Sequence, residues 1–148
     1  MSVATPLRIH VFAIFVCVGT ALLASTLAVA AEPDWASLAD VKQIHALTKS
    51  QEGKLRETKI WLAVVDGQGY LRTSRSTRWG KNVVRDPEIV VRIEDVEYPV
   101  HITFVEDDAL RERVIDAFRE KYGGVDWWLQ VFRGRSPQIM RVDPRARD

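Results

Sequence analysis

Cysteine is almost absent from this sequence of 148 residues, where Cys17 is the only example. Cys17 lies in an apolar run near the N-terminus, and Ile-Phe-Val precedes it instead of the small residues that a lipoprotein signal needs. A chain processed after this run contains no thiol. Disulfides, thiol chemistry, cysteine-ligated zinc and iron–sulfur clusters are therefore excluded for the processed form, which must be held together by packing.

Histidine is also scarce, and the three histidines (His10, His45 and His101) are isolated from one another. The sequence contains no His-x-His, no His-Glu-x-x-His and no paired aspartates at ligand spacing, so no metal site is predicted. It also contains no Gly-x-Ser-x-Gly and no arguable Ser-His-Asp arrangement. We expect His101 to lie on the polar face of its strand, in a structural or exposed role.

Neither basic nor acidic side chains are in clear excess. The full chain has 21 basic and 20 acidic side chains, and removal of the N-terminal run takes only Arg8. The remaining 20 of each sign give a net charge near zero. This balance argues against nucleic acid as a partner, although local basic patches remain.

The N-terminal thirty residues have the form of a signal peptide. A short polar start is followed by an apolar run that ends in Ala28-Val29-Ala30, a small-x-small site, before a charged segment. We predict cleavage after Ala30, a mature chain of 148 − 30 = 118 residues, and a periplasmic or secreted location. The alternative is an uncleaved membrane anchor over 11–31, which is nearly long enough to span a bilayer.

The mature chain has the length of one domain, predicted over 31–143, with a disordered tail over 144–148. Asp34 is a good N-cap for an N-terminal helix that ends near 42–44. A short strand over 44–48 follows, with a continued helix to Leu47 as the competing interpretation. The clearest helix begins at Asp107 or Asp108, runs to Tyr122 and stops at the following glycines.

The rest of the domain has strand character. Thr58–Val65, the Asp66-Gly67 turn and the run 70–73 predict a hairpin, and 88–93 with 98–105 predict a second hairpin. Two final strands are predicted over 127–132 and 138–142. The fold class is therefore mainly β with flanking helices (α+β): a small barrel of about six antiparallel strands, with one N-terminal helix and one long late helix.

One stretch, YLRTSRSTRWGKNVVRDP over 70–87, is rich in basic and hydroxyl side chains and has no acid before Asp86. Guanidinium groups, hydroxyls and the N–H groups of a helix start all bind phosphate well. The stretch therefore predicts either an anion site or a solvated basic loop. Trp79, in the middle of this polar loop, is predicted to stack on a planar ring, to fill a dimer interface or simply to pack.

The other tryptophans follow the strand pattern. Trp61 lies in a run that should be core, so packing is expected. Trp127 and Trp128 would point to opposite faces of their strand, which places one in the core and one at an interface or pocket.

Several motifs in order resemble a bacterial domain family of the FMN-binding split-barrel superfamily. They are Trp61, the Val64-Val65-Asp66-Gly67 hairpin, Tyr70-x-Arg72, the Ser76-Thr77-Arg78-Trp79 loop with one residue inserted, and Lys121-Tyr122-Gly123. The superfamily is similar in layout to pyridoxamine-phosphate oxidases, flavin reductases and deazaflavin-dependent nitroreductases. The resemblance implies a homodimer with a cofactor at its interface.

By position, the resemblance gives the cofactor-phosphate contacts to Arg72, Thr73, Ser74 and Lys81, with Trp79 near the cofactor ring. The tight Ser-x-Lys of the best flavin binders is not kept, because Ser76 and Lys81 are five residues apart. Two hypotheses follow. The first is an exported protein that binds FMN, a deazaflavin or another anionic planar ligand, and whose chemistry, if it is an oxidoreductase, is carried by that ligand. The second is a non-catalytic cell-envelope binding module that lacks a cofactor.

Overall fold

A computed structural model describes residues 32–74, 76–123 and 137–145. These residues form six strands and two helices. In chain order they are β1 (Gln43–Lys49), β2 (Leu55–Val65), β3 (Gln68–Thr73), α1 (Arg78–Arg85), β4 (Glu88–Ile93), β5 (Val96–Phe104), α2 (Asp108–Tyr122) and β6 (Gln138–Pro144).

The strands close into a barrel in the order β1-β2-β3-β6-β5-β4. Every neighbouring pair is antiparallel. Hairpins supply three of the contacts, whereas the β1–β4, β3–β6 and β5–β6 pairs join distant parts of the chain. The predicted mainly β barrel with flanking helices is confirmed.

Alternation along each strand sends one set of side chains into the barrel. On β2, for example, Ile60 and Leu62 are buried in the interior cluster, whereas Lys59 is exposed. The fully buried members of the interior include Ile44, Leu62, Leu71, Val83, Val91, Val100, Ile102, Met140 and Val142. The barrel is therefore a packed core.

Helix α2 lies against the outside of the barrel, as its apolar spacing predicts. The Asp107 side chain caps its start by accepting from the N–H of Leu110 at 2.6 Å, and Gly123 ends it with a φ of 56°. Val114, Ile115 and Phe118 form a second core cluster with outward-facing residues of the neighbouring strands, which are Ala63, Tyr70 and Ile139.

The prediction of an N-terminal helix was wrong. Residues 35–40 form successive turns, with bonds three residues apart such as the N–H of Leu38 to the carbonyl of Trp35 at 3.2 Å. A segment this short has little helical stability of its own. Trp35 instead packs into the barrel core at 4% exposure, with Leu38 and Val41 beside it. The strand predicted over 44–48, in contrast, is confirmed as β1.

Some predicted features lie outside the described residues. They are the signal peptide or anchor, Arg75, the strand over 127–132 with Trp127 and Trp128, and the end of the tail at 146–148. Strand β6 includes Pro144, which pairs with Val100, and Arg145 donates to Glu88 at 2.5 Å, so ordered contacts extend past Asp143. No helix among the described residues is long and apolar enough to cross a bilayer.

Candidate functional site

The basic stretch singled out in the sequence forms the junction between β3 and α1. Thr77 is the N-cap of α1, and its hydroxyl oxygen accepts from the N–H of Gly80 at 3.1 Å. The same hydroxyl donates to the carbonyl of Ser74 at 2.8 Å. One threonine side chain therefore ties the loop to the first helical turn. The helix begins at Arg78, directly after this cap.

Loop and helix approach each other closely at Gly80. A Cβ atom at this position would lie 2.5 Å from the Ser74 carbonyl oxygen and 2.8 Å from the Thr77 hydroxyl. Any side chain here collides with backbone, so glycine is needed for this approach. The geometry of the junction is thus determined by local sequence.

Thr73, predicted as a cofactor contact, is turned inward. Its side chain is buried, and its hydroxyl lies 2.9 Å from that of Thr77. Thr73 therefore supports the N-cap of α1 and has little surface to offer a ligand.

Ser74 and Ser76 lie on the outer side of the junction. Their hydroxyls are 2.8 Å apart, and the N–H of Ser76 donates to the Ser74 hydroxyl at 3.3 Å. Ser76 is exposed and Ser74 is half-buried. Both hydroxyls can reorient toward an incoming acceptor, because each is both donor and acceptor.

Two cations lie on the first turn of α1, which follows these hydroxyls in the chain. Arg78 and Lys81 are exposed, and the turn contains no acidic residue. The positive end of the helix dipole adds to their charge. The structure thus places hydroxyl donors, a guanidinium and an ammonium on one short loop–helix segment.

Arg72 is separated from this segment. Successive residues of a strand point to opposite faces, so Arg72 points outward where Thr73 points inward. Its guanidinium carbon lies 5.7 Å from the centre of the Trp61 ring and 5.2 Å from that of Phe118. Arg72 therefore forms cation–π contacts between β2 and α2.

Trp79 packs in the barrel interior at 7% exposure, the simplest of its three predicted alternatives. Trp79 and Val83 both pack into this interior, so α1 closes this end of the barrel like a plug. The buried Asn82 reinforces the plug by donating to the Thr48 hydroxyl on β1 at 3.0 Å. Of the five predicted residues, Ser74 and Lys81 thus share the outer surface of the junction, while Arg72, Thr73 and Trp79 are directed elsewhere.

Trp61 is half-buried on the outside of the barrel, whereas the sequence predicted a core position. Its ring stacks on that of Tyr122, with centres 4.4 Å apart and planes 4° apart. Trp61 therefore packs against α2 and belongs to the outer cluster.

Sequence reasoning did not assign a role to Lys121, which makes dense polar contacts. Its ammonium donates to the carbonyls of Ala39, Val41 and Leu62 at 2.7, 2.6 and 2.9 Å. Burial lowers the pKa of this ammonium. Lys121 joins α2 to the N-terminal turns and to β2, and its place in the Lys-Tyr-Gly motif was the only signal for this role.

Tyr122 completes the same clamp. Its hydroxyl contacts the carbonyls of Leu62, at 2.7 Å, and Lys42, and it accepts from the N–H of Leu62 at 3.1 Å. Burial raises the pKa of Tyr122 to about 12. We call Lys121 and Tyr122 the α2 clamp; its contacts are structural.

The two histidines among the described residues contact carboxylates at the surface. His45 contacts Glu57, which also binds Arg92, and His101 contacts Glu88, which also binds Arg145. The hydrogen bond from Arg92 is the main reason that the pKa of Glu57 is lowered. The hydrogen bond with His101 is the main reason that the pKa of Glu88 is lowered. Each histidine contact joins neighbouring strands, β1 with β2 for His45 and β5 with β4 for His101.

Comparison with known proteins gives one family. The family model described as "Uncharacterized protein conserved in bacteria (DUF2255)" matches residues 34–137. No curated protein matches the sequence.

Several solved structures share the fold. A conserved hypothetical protein, Rv2991 from Mycobacterium tuberculosis, is 21% identical with a TM-score of 0.61, over 80% of this chain and 84% of that one. HutZ, the heme storage protein from Vibrio cholerae, is 17% identical with a TM-score of 0.56, over 72% and 83%. An F420-H2 dependent reductase is 19% identical with a TM-score of 0.57, over 70% and 95%.

Proposed function

This chain belongs to the bacterial family DUF2255, and from this premise we propose that it is an exported protein whose β3–α1 junction binds an anionic planar ligand of the flavin type. The observation that carries the proposal is the junction itself. Ser74, Ser76, Arg78 and Lys81 present two hydroxyls and two cations on one short segment without an acidic neighbour in the first turn of α1.

This donor set fits the phosphate of such a ligand. Hydroxyls and cations at a helix start are the groups that hold phosphate in proteins, and the fixed N-cap orients them. The fit to the ring of such a ligand is weaker. Trp79 is buried, and no other described residue from 74 to 81 is aromatic. We therefore propose that the phosphate contacts dominate recognition.

The five predicted residues take different parts in this proposal. Ser74 and Lys81 contact the anion directly. Thr73 holds the Thr77 cap in place, and Trp79 anchors α1 in the core. Arg72 fixes the outer face of β3 against α2. A bound flavin or deazaflavin would itself supply any redox chemistry, while these residues bind and orient it.

Proteins that share the fold support the same class of ligand, since they include an F420-H2 dependent reductase and a putative pyridoxamine 5′-phosphate oxidase. A heme storage protein is also among them. FMN, a deazaflavin and hemin are accordingly the ligands to compare.

The test begins with the protein purified from its own compartment. A flavin that is purified with the protein gives visible absorption bands, and titration of the stripped protein with FMN, a deazaflavin or hemin quenches tryptophan fluorescence. Five tryptophans make this signal strong. We expect FMN or the deazaflavin to quench with saturation. Saturation by hemin alone would contradict the proposal, as would no quenching by any of the three at tens of micromolar.

A second candidate is the non-catalytic envelope module, and a specific observation favours it. Arg72, Thr73 and Trp79 all have internal contacts. If the remaining junction residues bind no cofactor, the loop keeps the shape of a cofactor site without its ligand. The absence of saturable quenching together with a folded protein would select this candidate.

The homodimer implied by the resemblance is also part of the proposal. A domain-swapped dimer among the structures with the same fold supports it. Sedimentation equilibrium measures the mass in solution, and a monomer at micromolar concentration would contradict it.

A further inference from the structure

A second surface lies at the same end of the barrel, past the C-terminal end of α1. It consists of the turn between β1 and β2 and the last residues of α1. We call it the basic rim and define it as Lys49, Lys54, Leu55, Arg56, Val84 and Arg85. All six side chains are exposed.

The rim is one continuous surface held together by hydrogen bonds. Lys49 and Leu55 are paired across β1 and β2, and the turn between them is closed by the N–H of Ser50 donating to the Lys54 carbonyl at 2.8 Å. The guanidinium of Arg85 donates to the carbonyl of Lys49, which joins α1 to the strand pair. The backbone positions of the rim residues are therefore set by the fold.

The rim has an unusual share of the exposed apolar surface. Leu55 is 66% exposed and Val84 is 56% exposed. Only one other large hydrophobic side chain among the described residues is exposed. It is Val96, at 43%, which lies at the opposite end of the barrel in the β4–β5 hairpin.

Basic residues are next to both aliphatic residues in the sequence, and Lys49 is the strand partner of Leu55. Lys49, Lys54, Arg56 and Arg85 contribute four positive charges, against Glu52 and Asp86 nearby. Both carboxylates already accept local donors: the Ser50 hydroxyl bonds Glu52 at 2.8 Å, and the N–H of Glu88 bonds Asp86 at 3.1 Å. A carboxylate that accepts a hydrogen bond stays charged, so the rim carries four positive and two negative charges, a net charge of 4 − 2 = +2.

We propose that the basic rim docks on an anionic lipid bilayer. Exposed aliphatic side chains enter the headgroup boundary, and lysine and arginine extend their long stems to reach anionic headgroups. The rim is a turn and a helix end rather than a groove, so it fits a deformable surface better than the rigid surface of a folded protein. Its charge complements anionic lipid and not zwitterionic lipid.

The experiment places a fluorophore at the rim of the full chain. Cys17, the only native cysteine, is changed to serine, and the environment-sensitive dye NBD is attached to Val84→Cys, Leu55→Cys or Val96→Cys. Vesicles of phosphatidylglycerol with phosphatidylcholine are compared with pure phosphatidylcholine. We expect NBD at 84 and 55 to brighten and shift to the blue with anionic vesicles only, and NBD at 96 to stay unchanged.

This design separates the rim from the N-terminal apolar run. If that run alone holds the protein on vesicles, all three dyes keep the emission that they show without vesicles. This result overturns the proposal. Equal changes at 96 and 84 overturn it too, because they indicate non-specific adsorption. A change at 84 that requires high protein concentration and no lipid indicates a second copy as the occupant, and also overturns it.

Charge variants provide a quantitative second measurement. Lys54→Gln combined with Arg56→Gln should raise the apparent Kd for anionic vesicles about 25-fold, since each basic side chain near such a surface contributes about fivefold. Lys59→Gln on the outer face of β2 serves as the control for loss of a cation. An equal effect of both variants would overturn the proposal. Ligand titrations without vesicles are independent of this result, so the rim and the junction can fail separately.

Discussion

At the scale of single residues, Lys121 makes a dense set of polar contacts. Its ammonium reaches three backbone carbonyls on two separate segments. Lys121→Met keeps the aliphatic stem and removes the charge, so we expect the free energy of unfolding to fall by about 1.5–3 kcal/mol, the range for hydrogen bonds to charged groups. Urea unfolding measures this, with Lys59→Met as the exposed control. Equal losses in the two variants would show that the clamp contributes nothing specific.

Tyr122 gives the clamp a dependence on pH. Its pKa is raised to about 12 by burial, whereas an unfolded tyrosine titrates near 10. The folded state therefore holds the proton more tightly, so the contribution is complete below pH about 10 and is lost as pH rises toward about 12, by up to about 2 kcal/mol. Between pH about 10 and about 12, the free energy of unfolding should fall less steeply with pH for Tyr122→Phe than for wild type. Tyr98→Phe serves as the control. Identical pH dependence in wild type and Tyr122→Phe would refute this role.

At the scale of elements, the junction between β3 and α1 depends on Gly80. A methyl group there would contact the Ser74 carbonyl and the Thr77 hydroxyl at less than 3 Å. We expect Gly80→Ala to lower the free energy of unfolding by about 1–3 kcal/mol through overpacking. Val84→Ala, on the exposed side of the same helix, should change it by less than about 0.5 kcal/mol. Thermal unfolding of both variants checks this, and a neutral Gly80→Ala would mean that the loop moves aside without cost.

Local sequence was sufficient for most of the elements. β-branched and aromatic residues marked β2, alternation marked β5, and the Asp66-Gly67 turn marked the first hairpin. The cap at Asp107 with three-four spacing marked α2. The same local reasoning was wrong for residues 35–40, because the burial of Trp35 in the barrel is a tertiary contact that the spacing of Leu38 and Val41 does not reveal.

The candidate site was predictable only in part, for a related reason. Opposite orientation of Arg72 and Thr73 follows from strand alternation alone and could have been read from the sequence. Burial of Trp79 could not, since it depends on α1 closing the end of a barrel whose strands come from distant parts of the chain. The contacts of Lys121 with carbonyls some 60 and 80 residues earlier are likewise invisible to local patterns.

At the scale of the whole molecule, the proposal requires a processed chain. Cleavage after Ala30 predicts a mature protein that begins at Ala31 and has 118 residues, obtained as 148 − 30. Intact-mass measurement of the protein from its native compartment checks this directly. A mass that includes residues 11–31 would instead support the anchored form.

The central claim is that the β3–α1 junction holds an anionic ligand, and calorimetric titration of FMN tests it most directly. Wild type is compared with Lys81→Ala, and Lys59→Ala is the matched control for loss of an exposed lysine. We predict saturable binding to wild type and Lys59→Ala, and binding weaker by about 1.5–3 kcal/mol for Lys81→Ala, the scale of a charged hydrogen bond. No binding by wild type, or the same Kd in all three proteins, would contradict the claim.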